Sequence, residues 1–283
     1  MSPEQPAGAH PGDLIAGFID RRIAMSPQAR QGPVIAGLCG AQGIGKSTIS
    51  RRLVGELAAR GYRALVIGLD DLYLPRRARE ELAATVHPLL RIRGVPGTHD
   101  VGLGLSLLQA AAAGDPIALP LFDKATDDRL PRERWKIAEP RPDIILLEGW
   151  CVGALPQAPA DLREPVNALE RREDPDGTWR HFVNDQLAGP YQRLFGTLDM
   201  LILLAAPDFE IVATWRGQQE QQLLDEVGSG GHAPHVMNQA EIARFVLHYE
   251  RITRHILAEM PERADLVLRL DRDRQVIGIE QRP

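Results

Sequence analysis

The chain has 283 residues, 44% hydrophobic and 25% charged, with a formal charge of −5. That composition is an ordinary soluble globular one and excludes general disorder, while acids and bases mixed along the chain leave no broad basic face for nucleic acid or an anionic membrane. Two cysteines, Cys39 and Cys151, exclude a disulfide framework, suit a reducing compartment and read as small buried hydrophobes.

The start, "MSPEQPAGAHPGD", carries neither a signal nor a transit pattern, and no apolar run is long enough for a bilayer, so cytoplasm is the expected location. One elaborated domain over 1–283 is expected, with residues 1–30 an extension holding a short helix, Gly12 to Ala24. "PVIAGL" (Pro33 to Leu38) then reads as a buried strand, Lys46 to Arg60 as a helix closed by Gly61, and "RALVIGL" (Arg63 to Leu69) as a second strand. Strand, helix, strand is a βαβ unit and implies a parallel sheet. "IILLEG" (Ile144 to Gly149), "DMLILLAAP" (Asp199 to Pro207) and "ADLVLRL" (Ala264 to Leu270) extend it to five core strands, with "QVIGIE" as a further edge. Helices are expected at Gly102 to Ala113, Asp208 to Glu226 and Gln239 to Glu259. Residues 76–142 and 159–180 are too long for plain crossovers and read as substrate-side insertions or lids. "GSGGHAPH" (Gly228 to His235) reads as locally disordered, and His232 and His235 lack the companions of a metal site.

Within "GLCGAQGIGKSTIS", the residues Gly40, Ala41, Gln42, Gly43, Ile44, Gly45, Lys46, Ser47 and Thr48 complete a G-x-x-x-x-G-K-[ST] phosphate loop between a strand and a helix. Glycines let backbone N–H groups turn inward around phosphate oxygens at the positive end of the helix. Lys46 supplies a mobile charge for the β- and γ-phosphates of ATP, and the Ser47 hydroxyl suits Mg²⁺. A dinucleotide fold is disfavoured because Thr48 stands where its next glycine belongs. Only three lysines occur, Lys46, Lys124 and Lys136, which gives each a claim to chemistry that arginine would not serve.

In open α/β sheets function gathers at the carboxyl ends of strands. There Asp70, with Asp71 second, is the expected base for an attacking hydroxyl, against the alternative of helix capping. Glu148, closing "IILLE", is the expected second metal-side group.

The phosphate loop with "LDDLYL", "RGVPGTHD", "PLFDKATDDR", "LEGWCVGALP" and "WRGQQE", in this order, resembles the D-glycerate 3-kinase family of phosphate-loop kinases, more distantly related to uridine kinase, phosphoribulokinase and bacterial pantothenate kinase. The resemblance runs from about Val34 to Leu270. It implies an α/β phosphate-loop NTPase fold and transfer of the ATP γ-phosphate to the 3-hydroxyl of D-glycerate, giving 3-phosphoglycerate. It also supports Asp70 as base and lands on Glu148, Gly149 and Trp150, and on Trp215 and Arg216 of a lid helix. Leu72, where these kinases often carry an aromatic, and "ATDDR" after Lys124 depart from the pattern and bear on the acceptor.

A small hydroxy acid needs a cationic partner for its carboxylate. Arg91, Arg93, His99, Lys124 and Arg129 are the candidates, each against the alternative of a solvated surface charge. Tyr73, Arg93, His99, Asp100, Lys124 and Trp150 are the expected acceptor side, although Asp100 also reads as a helix cap. Arg216 is the lid candidate for the transferring phosphoryl charge, its alternative being an i,i+4 pair with Glu220. The same machine acting on a nucleoside, pantothenate or another sugar acid, and a nucleotide-switched binding protein, are the competing readings. The switch lacks an N-K-x-D base-reading motif. Nothing in the sequence fixes the oligomeric state.

Overall fold

The computed structural model describes residues 9–25, 32–139, 141–227 and 237–282. In chain order the elements are α1 (Pro11–Met25), β1 (Val34–Gly40), α2 (Lys46–Ala59), β2 (Ala64–Gly68), α3 (Arg76–Thr85), α4 (Val101–Ala113), β3 (Ile117–Leu119), β4 (Phe122–Asp123), β5 (Asp128–Arg129), β6 (Lys136–Ala138) and β7 (Ile144–Gly149). There follow α5 (Ala168–Glu173), α6 (Thr178–Gln186), α7 (Gln192–Phe195), β8 (Met200–Ala205), α8 (Glu210–Val227), α9 (Gln239–Leu247), α10 (Glu250–Glu259), β9 (Leu266–Leu270) and β10 (Val276–Gln281).

The main sheet has the order β10-β9-β8-β1-β7-β2. All neighbours pair in parallel except β10, which joins β9 antiparallel as the expected edge. The core strands read as continuous apolar runs because both faces are covered. Ala36, Leu38, Ile144, Leu146, Ile202, Leu204, Leu266 and Leu268 turn to a layer with Ile15 and Ile19 of α1 and Leu53 and Leu57 of α2. Ile145, Leu147, Leu201, Leu203 and Val267 turn to the other, with Leu107 of α4 and Tyr249 and Ile252 near α10. Full burial of each such side chain is worth about 1.5–3 kcal/mol, so two-sided burial rather than strand propensity holds the sheet.

The single helix expected over Gln239 to Glu259 is two, α9 and α10, parted at His248 and Tyr249. Tyr249 is 2% exposed, its hydroxyl donates to Arg93 O at 3.1 Å and its ring meets Trp150 edge-on at 4.9 Å. Tertiary anchoring turns the chain where apolar spacing continues unbroken. Within residues 76–142, β3 pairs with β6 and β4 with β5 as small antiparallel ribbons. "GSGGHAPH", with His232 and His235, and the side chain of Glu220 lie outside the described residues. No helix among the described residues is long and apolar enough to cross a membrane.

Candidate active site

β1 lies between β7 and β8, so the loop that follows it emerges at the middle of the sheet's carboxyl edge. Gly43 and Gly45 have φ of +74° and +96°, the left-handed region that side chains resist. A Cβ on Gly43 would come 2.7 Å from the Trp215 backbone of α8, whereas one on Gly45 would meet nothing within 4 Å. Gly45 caps α2 without a side-chain bond, and while Thr48 N–H turns back to Gly45 O at 3.0 Å, the N–H groups of Lys46 and Ser47 at the helix start face an anion's position. Lys46 Nζ donates to Gly40 O at 2.8 Å and Ala41 O at 3.2 Å. Burial pulls the Lys46 ammonium below its usual range, against the attraction of Glu148 and Asp70. Phosphate oxygens arriving there would stabilise the charged form.

At the end of β7, Glu148 accepts from Ser47 Oγ at 3.4 Å and from Ser50 Oγ at 3.1 Å. Ser47 and Ser50 stand one turn apart on α2, so one helix face aims both hydroxyls at the carboxylate. Hard oxygen donors converging beside the phosphate loop suit Mg²⁺, which keeps waters and substrate phosphates as its remaining ligands. No cluster of three or more His, Cys, Asp or Glu able to hold a metal occurs among the described residues. Ser50 is absent from the sequence expectations, though its spacing of three from Ser47 is the signal that finds it.

A 3-10 turn, Leu69–Leu72, carries both aspartates past the end of β2. Asp70 accepts from Lys124 Nζ at 3.0 Å and from Tyr73 OH at 2.9 Å. Its partial burial would raise the carboxyl, but the Lys124 and Lys46 ammonium groups overcome that and hold it far below the usual range. Asp71 accepts from Phe122 N at 3.4 Å, and burial raises its carboxyl instead. The environment therefore separates two neighbouring carboxylates in opposite directions. Lys124 reaches Asp70 because Asp123 ties the β4–β5 turn, accepting from Ala125 N and Thr126 Oγ1 at 2.9 Å each. Phe122 anchors the same turn edge-on against Tyr73 at 5.3 Å.

The other acceptor-side residues differ in placement. Asp100 does cap α4, accepting from Leu103 N at 3.0 Å, and its second oxygen takes Arg129 Nη1 at 3.0 Å. Arg129 also donates to Tyr73 O at 2.7 Å, so it braces the aspartate turn from behind. Arg93 pairs with Asp127 and lies over the Phe122 ring at 5.4 Å. Arg91 is exposed, and its carbonyl accepts from Arg79 Nη1 at 2.8 Å. His99 stacks on Tyr73 at 4.5 Å, with Nδ1 2.5 Å from Tyr191 OH. Burial pushes its imidazole down to about 3, so the ring is neutral. Trp150 is 3% exposed and donates its indole N–H to Gly94 O at 2.8 Å, which sets it in the core beneath the site rather than in the cleft. No sequence signal marks Tyr191, which folding delivers from the segment after α6.

On α8, Arg216 Nη1 donates to Gln219 Oε1 at 2.7 Å, and the guanidinium lies over Phe245 of α9 at 5.3 Å. Trp215 is fully buried against the phosphate loop. Cys39 is buried too, its thiol pushed up to about 12 by desolvation, which keeps it inert.

A parallel sheet with this loop at its centre, a lysine, a serine and nearby carboxylates defines a phosphate-loop nucleotide-binding protein. No family model matches the chain. Over 246 residues it is 32% identical to the "Uncharacterized kinase mug58" of Schizosaccharomyces pombe, covering 84% of this chain and 86% of that one. Over 259 residues it is 27% identical to the chloroplastic D-glycerate 3-kinase of Arabidopsis thaliana, covering 87% of this chain but 54% of the plant protein. The solved D-glycerate 3-kinase from Cryptococcus neoformans shares the fold, with a TM-score of 0.80 at 23% identity, over 97% of this chain and 100% of that one. The chain belongs to the D-glycerate 3-kinase family of phosphate-loop kinases.

Proposed function

We propose that the chain transfers the γ-phosphate of Mg-ATP to a hydroxyl of D-glycerate, giving 3-phosphoglycerate. The observation that carries this reading is Asp70, gripped by Lys124 and Tyr73 at the carboxyl end of β2 and within the field of Lys46 of the phosphate loop.

Gly40 to Thr48 hold the phosphates through backbone N–H groups, and Lys46 turns from the Gly40 and Ala41 carbonyls to the β- and γ-oxygens. Ser47, with Glu148 behind it, would hold Mg²⁺, which when bound would supply charge neutralisation on the phosphates. Asp70 orients the acceptor hydroxyl and takes its proton as the oxygen–phosphorus bond forms and the bond to the ADP oxygen breaks. A carboxylate held this low is a weak base. Phosphoryl transfer has a loose transition state, so the hydroxyl needs orientation first and proton removal late. An acceptor carboxylate that draws Lys124 away from Asp70 would restore basicity as the substrate seats. Arg129, Asp100 and His99 keep the aspartate turn and Tyr73 in place, and Arg216 meets the transferring phosphoryl group when α8 closes.

ADP release with Mg-ATP, compared for D-glycerate, L-glycerate, uridine, pantothenate and no acceptor, tests the reading. A rate that depends on D-glycerate and is lost in Lys46→Ala and Asp70→Asn supports it. Stimulation by another acceptor alone replaces the substrate and keeps the kinase.

A further inference from the structure

Arg274, in the β9–β10 turn, sits in the left-handed region at φ 63°. Arg274 N–H donates to Asp271 O at 3.1 Å and Asp271 N–H to Gln275 O at 2.9 Å, while the Asp271 carboxylate accepts from the Asp273 and Gln275 N–H groups. This is a tight turn followed by a left-handed residue, a position that glycine fills without steric cost and arginine does not. The guanidinium placed by that strained backbone reaches the phosphate loop. Its Nε donates to Gly43 O at 2.9 Å, its Nη2 to Gln218 Oε1 of α8 at 2.8 Å, and it lies over the Trp215 ring at 5.1 Å. Trp215 closes the circle by donating Nε1 to Arg272 O at 2.9 Å.

We infer that Arg274 is a positioning residue for the nucleotide's phosphates, acting through the Gly43–Ile44 peptide. The inference rests on the phosphate-loop reading proposed above. A trans peptide is planar, with C=O and N–H on opposite sides. With Gly43 O held from the hairpin side, Ile44 N–H faces into the loop, where Ala41 O meets it at 3.4 Å. So long a bond is readily exchanged for a phosphate oxygen. A glycine at 43 offers little resistance to rotation of that peptide, and without the guanidinium the loop can present a carbonyl where an anion needs a donor.

R274G removes the guanidinium and the backbone strain together, so a structural staple and a loop-positioning residue give different results. Calorimetric titration of ATP without acceptor, with melting of the same samples, reads both. The expected result is binding of R274G weakened about tenfold with melting close to the unsubstituted chain, partial recovery in R274K, and unchanged affinity in Gln218→Ala. If R274G does not fold, R274N, whose side chain also tolerates the left-handed region, replaces it. Affinity of R274G within about twofold of the unsubstituted chain overturns the inference. A loss reproduced by Gln218→Ala with lowered melting overturns it as well, because that marks a staple for α8. An unsubstituted chain that binds no ATP would sink the phosphate-loop reading too, which separates the two failures.

Discussion

Lys124 Nζ lies 3.0 Å from Asp70 Oδ2, with the two side chains 58% and 47% exposed. A pair so open adds at most about 1 kcal/mol to stability, so its main consequence is for the proton affinity of Asp70. Taking the ammonium away weakens the ionised form and raises the Asp70 pKa. Lys124→Met should therefore move the acid limb of kcat/KM to higher pH and lower kcat/KM at neutral pH by about tenfold, with melting nearly unchanged. A pH–rate profile checks this, and an unmoved acid limb would count against the coupling.

Ser50 is 2% exposed and its hydroxyl donates to Glu148 Oε2 at 3.1 Å. Ser50→Ala should cost about 1 kcal/mol of stability and raise the Mg²⁺ concentration for half-maximal activity several-fold, because one of the bonds aiming Glu148 is gone. Magnesium titration at saturating ATP measures it. Identical titration curves for the two proteins would leave Glu148 without a part in metal binding.

The two left-handed glycines of the phosphate loop should respond differently. Gly43→Ala meets the Trp215 backbone at 2.7 Å on top of its strained φ, and should cost at least about 2–3 kcal/mol and lose ATP binding. Gly45→Ala meets open space, so only backbone strain of about 1–2 kcal/mol is expected. Denaturant unfolding of both variants provides the comparison, and equal losses would contradict the close approach of α8 at Gly43.

Burial lowers the His99 imidazole from 6.5 to about 3. Its neutral form favours the fold fully above pH 6.5, and that stability is lost as the pH falls toward 3, by up to about 1.4 kcal/mol per pH unit. His99→Gln should flatten the dependence of unfolding free energy on pH by about one proton between pH 6 and 4. Chemical unfolding across that range is the measurement, and matching slopes would mean that His99 titrates normally.

By itself the sequence determined the sheet, the phosphate loop and the order of the main elements. These are local signals: an apolar run reports a strand buried on both faces, and the glycines, Lys46 and Ser47 sit within one short stretch whose spacing is its geometry. The positions of Asp70 and Glu148 were legible for a similar reason, since Asp70 follows β2 and Glu148 closes β7, strands whose direction the βαβ rule sets. Tertiary structure alone decided the rest. The Gln239 to Glu259 stretch breaks at Tyr249 because Trp150 and the Arg93 carbonyl hold that side chain, and neither lies near it in sequence. Trp150, which the "EGW" segment suggested for the acceptor, is committed to Gly94 O, and Asp100 is divided between its helix and Arg129. Lys124 finds Asp70 across 54 residues and Arg274 finds Gly43 across 231. A charged side chain looks the same in sequence whether it faces water or a partner, and only packing of distant segments chooses between them.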